Sequence, residues 1–242
     1  MVKLTPPMGW NSWNTFGADI NEALIRETAD VMAESGLLEK GYEYLVIDDC
    51  WSLKTRDENE RLVPDPEKFP NGMKAVADYV HSRGLKFGMY SCAGNLTCAG
   101  YPGSFEHEFI DAATFAEWGV DFLKYDYCYH SPIIHGQYLY RRMGLALENC
   151  GRDILFSACS WGSDQTHEWI KTSAASMWRS TGDIFDAWES VKDLTKQQEK
   201  LHPYNGVGCF NDMDMLIVGM YGKGNVGLSG CTDVQYKTHY SI

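Results

Sequence analysis

Lys124 and Asp126 stand two residues apart in Val120-Asp121-Phe122-Leu123-Lys124-Tyr125-Asp126-Tyr127-Cys128, a run otherwise made of the aromatic and aliphatic residues of a buried strand. In a strand such residues project to one side, so the two charges emerge together from its C-terminal end. A charge pair there is costly unless it has a task, and a structural salt bridge is the simplest one. The pattern recurs, however. Tyr44-Leu45-Val46-Ile47 runs into Asp48-Asp49, Ser176-Met177-Trp178-Arg179 runs through Ser180-Thr181-Gly182 into Asp183, and Gly208-Cys209-Phe210 runs into Asn211-Asp212 and Asp214. Carboxylates gathered in this way support chelation of a hard divalent cation or a nucleophile and acid/base pair acting on a glycoside. Lys124 and Arg179 favour the glycoside, because cations among the acids repel a metal and suit sugar hydroxyls. No His-x-x-x-His or His-x-x-Glu spacing points to a transition metal. Neither a metal nor a cofactor is expected.

The elements that must position these residues alternate. Short apolar strands are expected at residues 8–13, 44–47, 85–90, 120–128, 154–159 and 175–179 and near Cys209-Phe210. Between them, helical patterns cover about 21–39, with Asp19 or Asn21 as cap and Gly41 beyond the end, then 73–82, 105–118, 136–149, 165–173 and 185–201. A polar stretch through Pro70 reads as a surface excursion. Seven strand-and-helix turns predict a parallel sheet, and a (β/α)8 TIM barrel fits best, with its active site at the C-terminal ends of the strands. No eighth strand is found before Ile242, so the expectation is one catalytic barrel over residues 1–242 lacking its last strand.

At 242 residues and 44% hydrophobic, the chain suffices for one large core. A net charge of -12 argues against nucleic acid and offers no basic patch to an anionic membrane. There is no apolar run near membrane-spanning length, and Met1-Val2-Lys3-Leu4 passes at once into Thr5-Pro6-Pro7, so a cytoplasmic location is expected. The eight cysteines lack a disulfide-scaffold spacing. Cys50, Cys92, Cys128 and Cys159 sit in or just after strands, as reduced, buried thiols would.

Five motifs together resemble glycoside hydrolase family 27, the α-galactosidase (melibiase) family. They are Pro7-Met8-Gly9-Trp10-Asn11-Ser12-Trp13, Ile47-Asp48-Asp49-Cys50-Trp51, Gly88-Met89-Tyr90-Ser91 with residues 97–104, Leu123-Lys124-Tyr125-Asp126-Tyr127-Cys128, and Trp178-Arg179 with Gly182-Asp183-Ile184. The resemblance implies hydrolysis of terminal α-galactosides, small or oligosaccharide, by a retaining mechanism with a covalent glycosyl-enzyme intermediate. It makes Asp126 the nucleophile, kept ionised with help from Lys124, and Asp183 the acid/base, in surroundings that raise its pKa. A retaining pair lies ~5 Å apart. Asp48 and Asp49 would accept from the 6- and 4-hydroxyls, Lys124 would hold the 3- and 4-hydroxyls and Arg179 the 2- and 3-hydroxyls. Trp13 would form an apolar wall and Tyr90 would line the pocket beside the nucleophile. Cys98 and Cys128 match a family pair that forms a disulfide beside the pocket. Family members usually continue into a last strand and an antiparallel β-domain, so a following β-sandwich is expected in a longer protein. A homo-oligomer stays open.

One position departs from the pattern. Many family members read Cys-Glu-Trp after the fifth strand, with Glu near the 2-hydroxyl, and this sequence reads Cys159-Ser160-Trp161-Gly162-Ser163. The family's α-N-acetylgalactosaminidases also carry Ser there with a small residue three further on, which keeps an acetamido sugar as the alternative to plain galactose. A non-catalytic galactose-binding protein is a third reading, disfavoured by the presence of both Asp126 and Asp183. Asp212 and Asp214 are expected to support the site, and His130 to be a solvated loop residue.

Overall fold

The computed structural model describes residues 4–241. Met1, Val2 and Lys3, on which the cytoplasmic reading rests, and Ile242, at which the strand count stops, lie outside the described residues. Nine strands run β1 Met8–Asn11, β2 Tyr42–Val46, β3 Lys86–Cys92, β4 Phe122–Asp126, β5 Leu155–Cys159, β6 Met177–Arg179, β7 Asp186–Ala187, β8 Phe210–Asp212 and β9 Gly227–Gly230. Seven form one sheet in the order β1-β2-β3-β4-β5-β6-β8, every pairing parallel, and β7 pairs with β9 in a separate two-stranded ladder. Strands β1 and β8 are the sheet's two edges. The expected barrel with seven of its strands is therefore present.

The helices are α1 Trp13–Phe16, α2 Glu22–Glu34, α3 Gly72–Ser82, α4 Glu108–Trp118, α5 Gly136–Glu148, α6 Thr166–Trp169, α7 Trp188–Gln198 and α8 Asp233–Ser241. Helix α2 starts as expected, with the Asn21 side chain accepting from the Leu24 N–H. It ends at Glu34, short of the expected Glu39, because Gly36 takes a left-handed φ of 84° and a 3-10 turn follows. The helix expected over 165–173 is broken into α6 and two 3-10 turns, and Asp164 and Gln165 both take positive φ at its start. The polar excursion is anchored rather than loose. Arg56 grips buried Asp111 through two nitrogens at 2.7 and 2.8 Å, and Leu62 and Phe69 of this stretch are buried in the core.

Alternation along the strands sorts the side chains. On β4, Leu123 and Tyr125, followed by Tyr127, join the large core against Phe115, Tyr140 and Met143 of the helices. Phe122 faces the other way and packs with Tyr44, Val46 and Leu155 inside the sheet's curl. Lys124 and Asp126 share that inner side, two and four residues further on. Register then aligns the strand ends: Tyr90 opposite Lys124, Cys92 opposite Asp126, Cys159 opposite Arg179 and Arg179 opposite Asp212. No helix among the described residues is long and apolar enough to cross a membrane.

Candidate functional site

At the C-terminal ends of β1, β2 and β4, Lys124 Nζ donates to Asp48 Oδ2 at 2.7 Å. Asn11 Nδ2 donates to the same oxygen at 2.8 Å. Asp48 is fixed further because its N–H donates to Ser12 Oγ at 3.0 Å and its Oδ1 accepts from the Asp49 N–H at 2.9 Å. Asp49 accepts from the Cys50 N–H at 2.7 Å and the Ala99 N–H at 3.0 Å, and burial pushes its carboxyl upward. Burial alone would strip the proton from Lys124, but Asp48 overrides it and holds the ammonium charged. Both expected sugar-facing carboxylates and the lysine thus meet in one rigid, hydrogen-bonded group.

Asp126 is buried, and its Oδ2 accepts from Tyr90 OH at 3.0 Å while its Oδ1 accepts from the Tyr127 N–H at 3.0 Å. Burial lifts its pKa and the Asp48 charge adds to the lift; Lys124 opposes both without reversing them. Lys124 therefore limits the rise in the Asp126 pKa rather than depressing it below the ordinary value. The Cys98–Cys128 disulfide is formed, joining the loops after β3 and β4 beside this carboxylate. The expectation of a reduced Cys128 is thereby corrected, as the resemblance implied. Gly94 makes that junction feasible, since a Cβ there would lie 2.1 Å from the Cys128 carbonyl oxygen.

Arg179 is 4% exposed, and its Nη2 is shared between Asp183 Oδ1 at 2.6 Å and Asp214 Oδ2 at 3.2 Å. Its Nη1 lies 3.5 Å from Cys159 Sγ, and its Nε is buried without a partner. An unpaired buried donor of this kind is a place for a ligand oxygen. The Asp183 side chain is 70% exposed and ion-paired with Arg179. The reason is local: it sits on an irregular loop between β6 and β7, with exposed Gly182 before it and buried Ile184 after it. Asp214 ties that loop down, accepting from the Ile184 N–H at 2.8 Å, at a strained φ of 121°. Burial pushes the Asp214 carboxyl up to about 6, against the pull of Arg179. A cavity of about 300 Å³ lined by Asn11, Lys124, Cys159, Arg179, Asp212 and Asp214 opens here.

Ser160 is buried and its Oγ pairs with Thr166 Oγ1 at 2.6 Å, so it is committed to its own loop. Trp13 is half-buried and packs against the cluster containing Ile184, the residue after Asp183. His130 is not simply solvated, because its ring stacks on Tyr127 at 3.8 Å. Sequence reasoning missed Asn11 as a site residue, and Asp164 as the anchor of Tyr127 and of the α5 N-terminus outside the pocket. Asn11 reaches Asp48 across the sheet, and Asp164 accepts from Tyr127 OH at 2.6 Å and the Gly136 N–H at 2.8 Å. The sequence signals for Asn11 were its place at the end of the first strand and within the first of the five motifs.

The family model described as alpha galactosidase A matches residues 5–231. An alpha-galactosidase of Cyamopsis tetragonoloba is 50% identical over 239 residues, 98% of this chain and 56% of that protein. A putative alpha-galactosidase/melibiase from Bacteroides fragilis superposes with a TM-score of 0.95 at 44% identity, over 98% of this chain and 53% of that one. The alpha-galactosidase of Saccharomyces cerevisiae with raffinose gives a TM-score of 0.89 at 39% identity, over 98% and 56%. The chain spans a little over half the length of the curated relatives it matches. With the family model matched over residues 5–231 and sequence and fold alike along nearly its whole length, the chain belongs to the alpha-galactosidase A (melibiase) family, glycoside hydrolase family 27.

Proposed function

We propose that this site hydrolyses terminal α-D-galactosyl residues of small or oligosaccharide substrates with retention of configuration. The carrying observation is the pair of unlike carboxylates: Asp126 buried, hydrogen-bonded and on the same strand face as Lys124, and Asp183 exposed on a loop that Arg179 and Asp214 hold. Asp126 attacks the anomeric carbon as Asp183 gives its proton to the leaving oxygen, forming a glycosyl ester. Asp183 then takes a proton from water, whose oxygen displaces Asp126 and releases the sugar. Arg179 Nη2 lies 2.6 Å from Asp183 Oδ1, so sugar 2- and 3-hydroxyls that engage Arg179 would compete with Asp183 for that guanidinium. The raffinose-bound yeast relative supports an oligosaccharide galactoside as substrate.

Hydrolysis of p-nitrophenyl α-galactoside by the full-length protein, with Asp126→Ala as control and the first-formed anomer read by NMR, tests this. Release of α-galactose by the native protein alone is the expected result, and β-galactose as first product or no turnover would overturn the reading. One observation favours a second substrate. Ser160 supplies no carboxylate at this position and its Oγ is bonded to Thr166, so neither would oppose an acetamido group at the sugar's second carbon. Turnover of the α-N-acetylgalactosaminide in place of the galactoside would select that substrate.

A further inference from the structure

A covalent link touches the nucleophile without a part in the proposed reaction. Tyr90 OH lies 3.0 Å from Asp126 Oδ2 and 3.4 Å from Cys98 Sγ. The sulfurs of Cys98 and Cys128 and a carboxylate oxygen of Asp126 all fall within 4.8 Å of one another. While the sulfurs are bonded to each other they are poor ligands. A two-electron reduction by a dithiol or a phosphine breaks the S–S bond, and each sulfur takes one proton. Two thiols and a carboxylate are the donor set of a borderline-soft divalent ion. Zinc binds sulfur at ~2.3 Å and oxygen at ~2.1 Å, which spaces its ligands ~3.5–4 Å apart, so after reduction the two sulfurs must part by ~2 Å from their bonded separation, a change that side-chain rotation can supply.

We propose that reduction of the Cys98–Cys128 bridge unmasks a zinc site formed by both thiolates and Asp126, with water as fourth ligand, and that its occupation arrests catalysis by engaging the nucleophile. Zinc displaces the two thiol protons, and the resulting three negative charges outweigh the nearby ammonium of Lys124, which is already committed to Asp48. Cys98 is exposed, giving reductant and metal a way in. The six other cysteines are free thiols, five of them buried, and none joins a comparable three-ligand cluster among the described residues. The inhibitory half of the proposal rests on the glycosidase reading; the metal site does not.

The test uses full-length protein reduced with a water-soluble phosphine, beside unreduced protein. Zinc at micromolar levels is expected to slow the reduced form roughly tenfold or more, to leave the unreduced form untouched, and to be reversed by a chelator. Cobalt(II) in its place is expected to give a thiolate-to-metal charge-transfer band at one ion per chain. Cys98→Ser and Cys128→Ser should each remove that band and the zinc dependence, scored as each variant's rate with zinc against its own rate without. Absence of the cobalt band in reduced protein, its persistence in both variants, or reduced protein that unfolds and does not refold with zinc would overturn the site. A band without any galactosidase activity would instead count against the functional reading alone.

Discussion

Replacing Lys124 with Met keeps the length of the side chain and removes its charge. Asp48, 2% exposed, then loses the ammonium at 2.7 Å and keeps only neutral donors such as Asn11 Nδ2. Breaking a buried pair by removing one partner costs ~3–5 kcal/mol, and the retained amide points to the lower end. At ~2–4 °C per kcal/mol for a chain of this size, Tm should fall by roughly 6–12 °C. The second effect falls on Asp126. Lys124 is the chief influence holding the Asp126 pKa down against its burial. Residues two apart on one strand face lie ~7 Å apart. Unit charges at that distance interact by ~2 kcal/mol at an effective dielectric of ~20, which exceeds one pH unit. Asp126 must be ionised to attack, so activity falls as pH drops through its pKa. In Lys124→Met the acid limb of the kcat/KM profile should therefore move upward by ~1–2 pH units. The assay is p-nitrophenyl α-galactoside hydrolysis across pH, alongside thermal melts. Loss of a sugar contact alone would lower kcat/KM by one factor at every pH, so an unmoved acid limb would refute the electrostatic coupling whatever the loss of rate.

Tyr90→Phe keeps the buried ring and deletes the hydroxyl that donates to Asp126, so the same limb should shift upward with a loss of ~1.5–3 kcal/mol in transition-state stabilisation, measured from kcat/KM. Asp183→Ala should cost ~10²–10⁴ in kcat on raffinose-like substrates and far less on a dinitrophenyl galactoside, whose leaving group needs no proton; equal losses on both would remove Asp183 from the acid role. Asp214→Asn should flatten the pH dependence of stability. The native carboxyl titrates at about 6 against an ordinary 3.8, so the folded chain holds this proton more tightly than the unfolded one. Its stabilisation is full below that ordinary value and ~3 kcal/mol is lost as pH rises through 6; urea midpoints across that range should show the slope in the parent and its loss in the variant.

The sheet was legible because its period is simple. The β4 charges and aromatics alternate in the sequence, and the fold needs only that alternation to send Lys124 and Asp126 inward and Leu123 and Tyr125 outward. The Asn21 cap of α2 was equally local, because a side-chain oxygen three residues before an amide needs no tertiary partner. What escaped was non-local or lay on irregular backbone. The exposure of Asp183 depends on a loop fixed from 30 residues away, by the Asp214 bond to the Ile184 N–H. The break before α6 depends on positive φ at Asp164 and Gln165, residue types that carry no glycine signal. Asn11 reaches Asp48 only because β1 and β2 are neighbours, a relation that spacing along the chain does not encode. The state of Cys128 followed from its partner across two loops and not from its own apolar surroundings.

The alternation on β4 also makes the site a matter of parity. Phe122, Lys124 and Asp126 carry even numbers and belong to the pocket side, whereas Leu123, Tyr125 and Tyr127 carry odd ones and belong to the helices. Substitution at any one of these positions leaves the others on their own sides of the sheet. Insertion or deletion of a single residue before Lys124 would exchange the two sets, driving an ammonium and a carboxylate into the aromatic layer of Tyr140 and Phe156 and turning tyrosines into the pocket. A change of one residue in the length of this strand is therefore expected to be far more damaging than a substitution at Leu123 or Tyr125, whereas a change of length in the loops beyond its ends leaves the parity intact.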